Sequence, residues 1–429
     1  MNGSDRRTEA ACPCPAARDS LYTPVRVVEL DLEAPGELRS PGGSGPADPD
    51  GRVLALVRLH GHPLGLVTAT GTPGDRAGLR RALVDAARLA APAATATPAP
   101  APGCPPARTA PGVSVVIATH NRPDMLRRCL DSVLRTDPPP REVIVVDSAP
   151  ADPAARDLVH AHYRDRVHYL HEPLPGLARA HNRALPVAEG EVIAFTDDDT
   201  LVDPHWPGAL ADAFAADPDI GCVTGLIVPA ELETAAQAAL EQHGGFAKGF
   251  AARSWSLADP PADPLFPFTA GRFGSGANMA FRTRLLRDLG GFDPAMGTGT
   301  PARGGDDLLA FFRIVVAGHT LAYQPDAIVW HHHRRTPEAV PAQALGYGMG
   351  LGAYLTAAVR HEPAMLPALL RRLPQGIGHA AARARSRTAA ARGGTGSPPL
   401  ARLELQGLLC GPLGYLRSLH QARSLDLRS

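Results

Sequence analysis

The chain is nearly devoid of lysine: Lys248 is the single one, so arginine supplies almost all of its 43 basic residues. Those residues are balanced by 43 acidic ones, and the formal net charge is zero. A chain without excess positive charge lacks the attraction for phosphate backbones on which nucleic-acid-binding proteins depend. The composition therefore argues against a nucleic-acid partner.

Cysteine is scarce too, with six residues among 429, and no two of them have C-x-x-C spacing. This density is too low for a disulfide scaffold, and the spacing does not indicate a zinc or redox site. The first residues, MNGSDRRTEAACPCP, lack the apolar core of a signal peptide. We therefore expect reduced thiols and a cytoplasmic location.

Two phosphate-binding loops are also missing. No G-x-G-x-x-G follows the first strand of the central region, and G-x-x-x-x-G-K-[ST] does not occur. These absences argue against a dinucleotide-binding domain and a P-loop nucleoside triphosphatase. A bound diphosphate would then have to be neutralised by a metal ion and by arginine.

The stretch EVIAFTDDDT at 191–200 is the strongest local signal. Its apolar residues 192–195 are typical of a strand buried on both faces. Asp197, Asp198 and Asp199 follow where that strand leaves the core. Because adjacent carboxylates repel one another, the run is either a solvated acidic turn or a site for a hard divalent cation.

Composition divides the chain into five segments. They are a disordered start (1–20), a small α/β module of unassigned role (21–90), an Ala/Pro-rich linker (91–111), a central α/β domain (112–336) and a helical, basic C-terminal region (337–429). Within the last segment, the uncharged run 339–359 predicts a packed helical hairpin rather than a membrane span. The basic remainder would suit either an anionic membrane surface or a helical bundle on the central domain.

In the central domain, strand-like runs alternate with helical ones. The strands are predicted at Val113–Ala118, Glu142–Val146, 167–170 and 191–196. This alternation predicts a mostly parallel α/β sheet with helices on both faces, in which ligands collect at the carboxyl ends of the strands. The polar residues at those ends are Thr119, Asn121, Arg122, Asp147 and the three aspartates. We expect them to meet in one crevice.

Seven motifs in order resemble the family-2 glycosyltransferases, which have the Rossmann-like GT-A fold. They are VSVVIATHNRPDMLRRCLDSV, EVIVVDSAP, PGLARAHNRAL, GEVIAFTDDDTLVDPHW, GSGANMAFRTRLLRDLGGFD, RGGDDLLAFFRI and PDAIVWHHHRR. The resemblance covers about Pro111–Arg335 and leaves extra N- and C-terminal segments. It implies a metal-dependent, inverting enzyme that moves a sugar from a nucleoside-diphosphate sugar to an acceptor hydroxyl. The acceptor would be a glycan, a lipid-linked molecule or a small molecule.

The resemblance also implies roles for the residues at the strand ends. The loop containing Thr119, Asn121 and Arg122 would lie along the nucleobase and ribose, and Asp147 would accept a hydrogen bond from the base. Arg179 and Asn182 would flank the nucleotide. The family often has Ala-Arg-Asn there, whereas this chain has Ala-His-Asn, which leaves the role of Arg179 open.

The DDD run matches the family's DxD motif. By resemblance, Asp199 binds Mn²⁺ or Mg²⁺ directly, and Asp197 contacts the ribose or the metal shell. Asp198 is a candidate nucleotide-sugar contact, and a structural role is its alternative. The late histidines His331 and His333 resemble the family's metal- or diphosphate-binding position, and a solvated basic turn is the alternative. Imidazole is a suitable ligand for Mn²⁺.

Asp306 and Asp307 begin an apolar, helical run. The family usually has Glu-Asp here, and its second acid is the catalytic base, so the resemblance points to Asp307 with Asp306 beside it. Helix capping by carboxylates is a compatible alternative. A nucleotidyltransferase and a non-catalytic carbohydrate-binding or scaffold protein remain the competing functions.

Overall fold

The computed structural model describes residues 24–90, 110–372, 374 and 400–426. The predicted disordered start at 1–20, most of the predicted linker at 91–111 and the segment 375–399 lie outside these ranges. Within them, two sheets with their covering helices and a pair of long C-terminal helices make up the fold.

The N-terminal residues form a five-stranded sheet covered by one helix. The strands have the spatial order β3-β2-β1-β4-β5, and β1 and β4 run parallel. Leu79, Leu83 and Ala87 recur every four residues on the helix and are buried against the sheet. The elements are β1 (Val25–Asp31), β2 (Leu38–Arg39), β3 (Pro46–Ala47), β4 (Arg52–Leu59), β5 (His62–Thr70) and α1 (Arg76–Ala90).

A nine-stranded sheet forms the centre of the molecule. Its strands are β6 (Val113–Thr119), β7 (Glu142–Ser148), β8 (His168–Glu172), β9 (Val192–Asp197), β10 (Thr200–Val202), β11 (Ile220–Pro229), β12 (Arg253–Trp255), β13 (Met279–Arg282) and β14 (Thr320–His331). The order is β10-β14-β11-β13-β9-β6-β7-β8, with β12 also paired to β14. Strands β6, β7, β8, β9, β11 and β14 share one direction, while β10, β12 and β13 run the other way.

The predicted α/β class with a mostly parallel sheet is therefore confirmed, and three antiparallel strands are added to it. Alternate residues of the central strands reach opposite cores: Val116 and Phe195 belong to one, Val115 and Ala194 to the other. This burial on both faces accounts for the unbroken apolar runs in the sequence. The covering helices are α2 (Pro123–Val133), α3 (Ala154–His162), α4 (Leu177–Ala184), α5 (Trp206–Ala216), α6 (Ala235–Gly244), α7 (Thr283–Asp288) and α8 (Asp306–Val316).

Two long helices, α9 (Ala339–His361) and α10 (Leu400–Asp426), pack against each other. Glycines permit their close approach. A Cβ added to Gly348 would overlap the carbonyl oxygen of Glu404, and one on Gly407 would overlap that of Leu345. Within the described ranges, no helix combines the length and apolarity that a bilayer span requires.

The N-terminal module is docked on the central sheet beside β10. The backbone amide of Val25 donates to Leu232 O at 3.0 Å. Arg58 donates to Glu29 at 2.9 Å and to Asp203, directly after β10, at 2.5 Å. These three side chains are almost completely enclosed, so a buried cation joins the two sheets next to the acidic turn.

We expect Arg58→Ala to lower the free energy of unfolding by about 3–5 kcal/mol, because it leaves two buried carboxylates without their cation. Urea unfolding followed by circular dichroism would measure this change. Arg76→Ala, which breaks an exposed ion pair with Asp48, is the matched control and should cost less than about 1 kcal/mol. Equal losses of unfolding free energy in the two variants would contradict a stabilising role for the buried ion pairs of Arg58.

Candidate active site

The DDD turn lies at the carboxyl end of β9, between the ends of β6 and β14. Thr119, the last residue of β6, donates its hydroxyl to Asp198 at 2.7 Å. Arg122 donates to Asp199 at 2.6 Å and also pairs with Asp198. The structure thus brings two predicted nucleotide-site residues to the acidic turn. Within that turn, Asp198 is fully buried.

Asp197, Asp199 and His331 form a group of possible metal ligands. Each offers one atom, and these atoms lie within 4.8 Å of one another. The antiparallel pairing of β10 with β14 places His331 opposite Thr200, and the amide of His332 donates to Asp199 O at 2.9 Å. Within the described ranges, the buried Nδ1 of His331 has no hydrogen-bond partner. Two carboxylates and an imidazole fit the ligand preferences of Mn²⁺.

His333 is held outside this group. Its Nε2 lies 2.8 Å from Glu241 Oε2, and its ring stacks on Phe246 with a centroid distance of 5.8 Å. The same phenyl ring lies 5.1 Å from the His331 ring. Phe246 therefore packs against both predicted histidines, but only His331 joins the two aspartates.

The acidic turn concentrates negative charge in a region of low solvent access. Burial and the charges of Asp199 and Asp198 raise the pKa of Asp197 well above its ordinary value. Burial raises the pKa of Asp198 to about 6, although Arg122 opposes this. Burial also acts on Asp199, but His331 and Arg122 outweigh it and hold the pKa of that carboxyl below its usual range. A divalent cation would relieve the remaining repulsion.

The predicted nucleobase residues lie at the ends of β6 and β7. Asp147 is buried and accepts from the Tyr169 hydroxyl at 2.8 Å through one oxygen, while its Oδ1 has no hydrogen-bond partner within the described ranges. Asn121 adopts a left-handed backbone (φ 56°), and its side chain accepts from the Ala151 amide at 2.8 Å. These contacts join the two loops beside a buried carboxylate oxygen that is available to accept a hydrogen bond.

Arg179 and Asn182, on α4, contact parts of the chain beyond the strand ends. Asn182 donates to Phe292 O at 2.7 Å and accepts from Phe292 N at 2.8 Å. Arg179 donates to Ala422 O of α10 at 3.4 Å. The structure thus places both side chains against neighbouring segments of the protein.

Asp306 and Asp307 begin α8 after Gly305, which has the left-handed φ of 81°. The two carboxyl groups have different surroundings. Asp307 accepts from the amides of Gly276 at 2.9 Å and Leu308 at 2.8 Å. Asp306 is buried, and its Oδ2 lies 3.8 Å from His181 Nδ1.

These surroundings affect the pKa values of the two acids differently. Burial and the charge of Asp307 raise the pKa of Asp306 to about 7. Burial lowers the pKa of His181 to about 3, so this imidazole is neutral near pH 7 and supplies no counter-charge. Burial also raises the pKa of Asp307, but the two amides and the charge of Lys248 oppose that rise. Asp307 is therefore the better candidate for an ionised base.

Sequence reasoning did not find two aromatic residues near these groups, Phe246 and Tyr347. Phe246 lies in the segment GGFAKGF, which stands out in the sequence because it contains the only lysine. Tyr347 lies on α9, outside the region of family resemblance, and nothing in its local pattern indicates a site. Its ring centroid is 6.4 Å from that of Phe246.

Comparisons with known proteins find similarity to glycosyltransferases. Residues 114–290 match the family described as "Glycosyl transferase family 2". A pre-mycofactocin glycosyltransferase of Mycobacterium tuberculosis is 30% identical over 260 residues, 60% of this chain and 50% of that protein. A poly-beta-1,6-N-acetyl-D-glucosamine synthase of Staphylococcus epidermidis is 24% identical over 51% of this chain and 49% of that protein. This chain thus spans about half the length of the curated relatives that it matches.

A solved structure is also similar: a mannosyltransferase from Pyrobaculum calidifontis in complex with GDP-Man and Mn²⁺. It is 25% identical, with a TM-score of 0.43, and the match covers 75% of this chain and 90% of that one.

Proposed function

We propose that this chain moves a sugar from a nucleoside-diphosphate sugar to an acceptor hydroxyl with inversion of the anomeric configuration. The match of residues 114–290 to glycosyltransferase family 2 supports this activity. The observation that carries the proposal is the presence of two distinct acidic groups. One is the Asp197–Asp199–His331 group at the strand ends, and the other is Asp307 at the start of α8. The first suits a diphosphate with its counter-ion, and the second suits a proton acceptor.

Asp307 would take the proton of the attacking hydroxyl. An alcohol is a poor nucleophile at neutral pH, and a positioned carboxylate assists its attack on the anomeric carbon. The Gly276 and Leu308 amides hold this carboxylate in place and favour its ionised form. A single displacement without a covalent intermediate inverts the anomeric centre.

The metal would be held by Asp197, Asp199 and His331. A bound Mn²⁺ or Mg²⁺ supplies positive charge that stabilises the departing nucleoside diphosphate. The imidazole in the ligand group favours Mn²⁺, because Mg²⁺ prefers oxygen ligands throughout. Arg122 already pairs with two of the aspartates and would help to neutralise the diphosphate.

The nucleoside would lie along the Thr119–Arg122 loop. Asp147 Oδ1 is a buried oxygen without a hydrogen-bond partner in the described ranges, and it would accept from the base. The contribution of Arg179 and Asn182 would be indirect, because Arg179 donates to Ala422 O and Asn182 donates to Phe292 O.

A thermal-shift screen of nucleotide sugars with Mn²⁺ tests this function. A donor at 100 times its dissociation constant should stabilise the protein by about 2.7 kcal/mol. The same donor should release a nucleoside diphosphate during turnover, with the opposite anomeric configuration in the product. Pyrophosphate release from a nucleoside triphosphate would instead indicate a nucleotidyltransferase. If no donor stabilises the protein or turns over, the proposal is wrong.

We also propose that α10 rests on an anionic membrane surface at the cytoplasmic face. Leu405, Leu409, Leu413 and Leu416, here named the leucine stripe, are 51–73% exposed and share one side of the helix through spacings of three and four. The opposite side carries the glycines that face α9. Exposed Arg402, Arg417 and Arg423 accompany the stripe, and residues 375–399, outside the described ranges, contain four arginines and no acid. Apolar side chains flanked by arginine match an anionic lipid surface.

Co-sedimentation with vesicles tests this contact. We expect binding to phosphatidylglycerol vesicles that weakens with salt, little binding to phosphatidylcholine, and a marked loss of binding in the Leu409→Ser, Leu413→Ser double variant. Gln406→Ser on the same helix is the control and should bind as the wild type does. Equal binding by the double variant would contradict the proposal. A wild-type dimer that the double variant dissociates would assign the stripe to a second copy instead.

A further inference from the structure

The C-terminal helix α9 packs directly on the segment that leads to the proposed base. Gly304 and Gly305 precede Asp306 and Asp307, and they contact Gly350 of α9. A Cβ added to Gly305 would overlap the carbonyl oxygen of Gly350, so the two segments meet backbone to backbone. Helix α9 is therefore held in a fixed position beside the start of α8.

Tyr347 is one turn before this contact on α9. It is 38% exposed, and Gln343 donates to its hydroxyl at 2.5 Å. Burial by surrounding protein nevertheless raises the pKa of Tyr347 to about 12, with Glu241, Asp199 and Asp307 contributing to the rise. Tyr347 contacts Phe246, which in turn contacts His331 of the proposed metal group. Through Gly350, one turn further along α9, it also lies near the start of α8.

Phe246 lies between Tyr347 and the metal group. Its ring contacts His331 at a centroid distance of 5.1 Å and Tyr347 at 6.4 Å, nearly perpendicular to the latter. The segment that carries it is fixed at its far end, because the Tyr323 hydroxyl donates to Gly249 O at 2.8 Å. Two aromatic rings from distant parts of the chain thus meet nearly at a right angle and form two adjoining sides of one aromatic wall.

We propose that Phe246 and Tyr347 form an acceptor subsite that takes a molecule whose reactive hydroxyl is carried on a ring. An aromatic wall binds the apolar face of a sugar ring or an aryl ring by contact and stacking. The base at Asp307 is then in a position to receive the proton of a hydroxyl on that ring. The inference rests on the proposed function, and it adds the chemical class of the acceptor and a contribution from the C-terminal helices.

Ligand-detected NMR of the full chain tests the subsite without turnover. The probes are methyl β-D-glucopyranoside for a sugar ring, 4-methylphenol for an aryl ring and glycerol for hydroxyls without a ring. We expect saturation transfer to the ring protons of at least one ring probe and none to glycerol. The probe that binds identifies the source of the ring.

Variants at Tyr347 distinguish the contribution of its ring to probe binding from that of its hydroxyl. Tyr347→Phe should retain binding of the ring probe, whereas Tyr347→Leu should weaken it about 5–10-fold. Phe246→Leu provides an independent second test on the other side of the wall. Gln406→Ala, at an exposed position of α10, is the control and should leave binding of the ring probes unchanged. Unchanged binding in both Leu variants, or equal signals from glycerol and the ring probes, would overturn the subsite.

Donor binding distinguishes failure of the subsite from failure of the proposed function. Tyr347→Leu should keep the thermal shift caused by the nucleotide sugar with Mn²⁺. If the wild type shows that shift but its ring binding is insensitive to Phe246 and Tyr347, the subsite alone is wrong. If the wild type shows no donor shift, the proposed function itself fails.

Discussion

Asp307→Asn should lower kcat about 10²–10⁴-fold while the thermal shift with donor and Mn²⁺ stays unchanged. Asparagine keeps the size of the side chain and cannot accept the proton of the attacking hydroxyl. The amides of Gly276 and Leu308 donate to different oxygens of Asp307, so the single amide oxygen of asparagine keeps one of these two hydrogen bonds. Initial rates at saturating donor measure the change. A variant with full transfer activity would show that Asp307 is not the base.

The pH dependence gives an independent check of the same assignment. Burial raises the pKa of Asp307 above its ordinary value, and a base is active only when it is ionised. The rate should therefore fall as the pH drops through that raised pKa, and Asp307→Asn should lack this fall. Lys248 lowers the pKa of Asp307, so Lys248→Gln should shift the acidic limb to higher pH. A limb that stays in place in Lys248→Gln would contradict the proximity of the two charges.

Asp199→Ala and His331→Ala should each weaken Mn²⁺ binding by at least about 10–100-fold, the size of effect known for residues that only orient metal ligands. Both side chains offer an atom to the same three-residue group, and Asp199 stays ionised because His331 and Arg122 hold its pKa low. Titration of Mn²⁺ followed by electron paramagnetic resonance measures the affinity directly, without turnover.

His333→Ala is the matched control for the metal site, because it removes an imidazole two residues away that pairs with Glu241 instead. It should leave the Mn²⁺ affinity within a few-fold of the wild-type value. Equal losses from His331→Ala and His333→Ala would refute the selection of His331. Unchanged affinity in Asp199→Ala would refute the carboxylate group itself.

Four parallel strands of the central sheet were predictable because their signal is local. Buried strands such as 113–119 and 192–197 are unbroken apolar runs, and the polar residues that end them follow immediately in sequence. The meeting of Thr119, Arg122 and the DDD turn follows from parallel neighbours whose carboxyl ends share one edge. The motif Asp306–Asp307 was equally visible, since it begins an apolar helical run.

Other features depend on contacts between residues far apart in the chain. Alternation would aim His331 and His333 to one side if the strand continued, but β14 ends at His331. The pairing of β10 with β14 brings His331 to Asp199. Asp306 and Asp307 are adjacent in sequence, but Asp306 lies beside His181 whereas Asp307 accepts from the amide of Gly276.

The sequence by itself therefore determined the α/β class, the order of the strand-end residues and the two acidic groups, because residue periodicity and adjacency encode them. The tertiary structure decided which histidine joins the aspartates, how the N-terminal module is clamped through Arg58 and where Tyr347 lies. Each of these depends on strand register or helix packing between segments that are many residues apart, and no local pattern specifies such contacts.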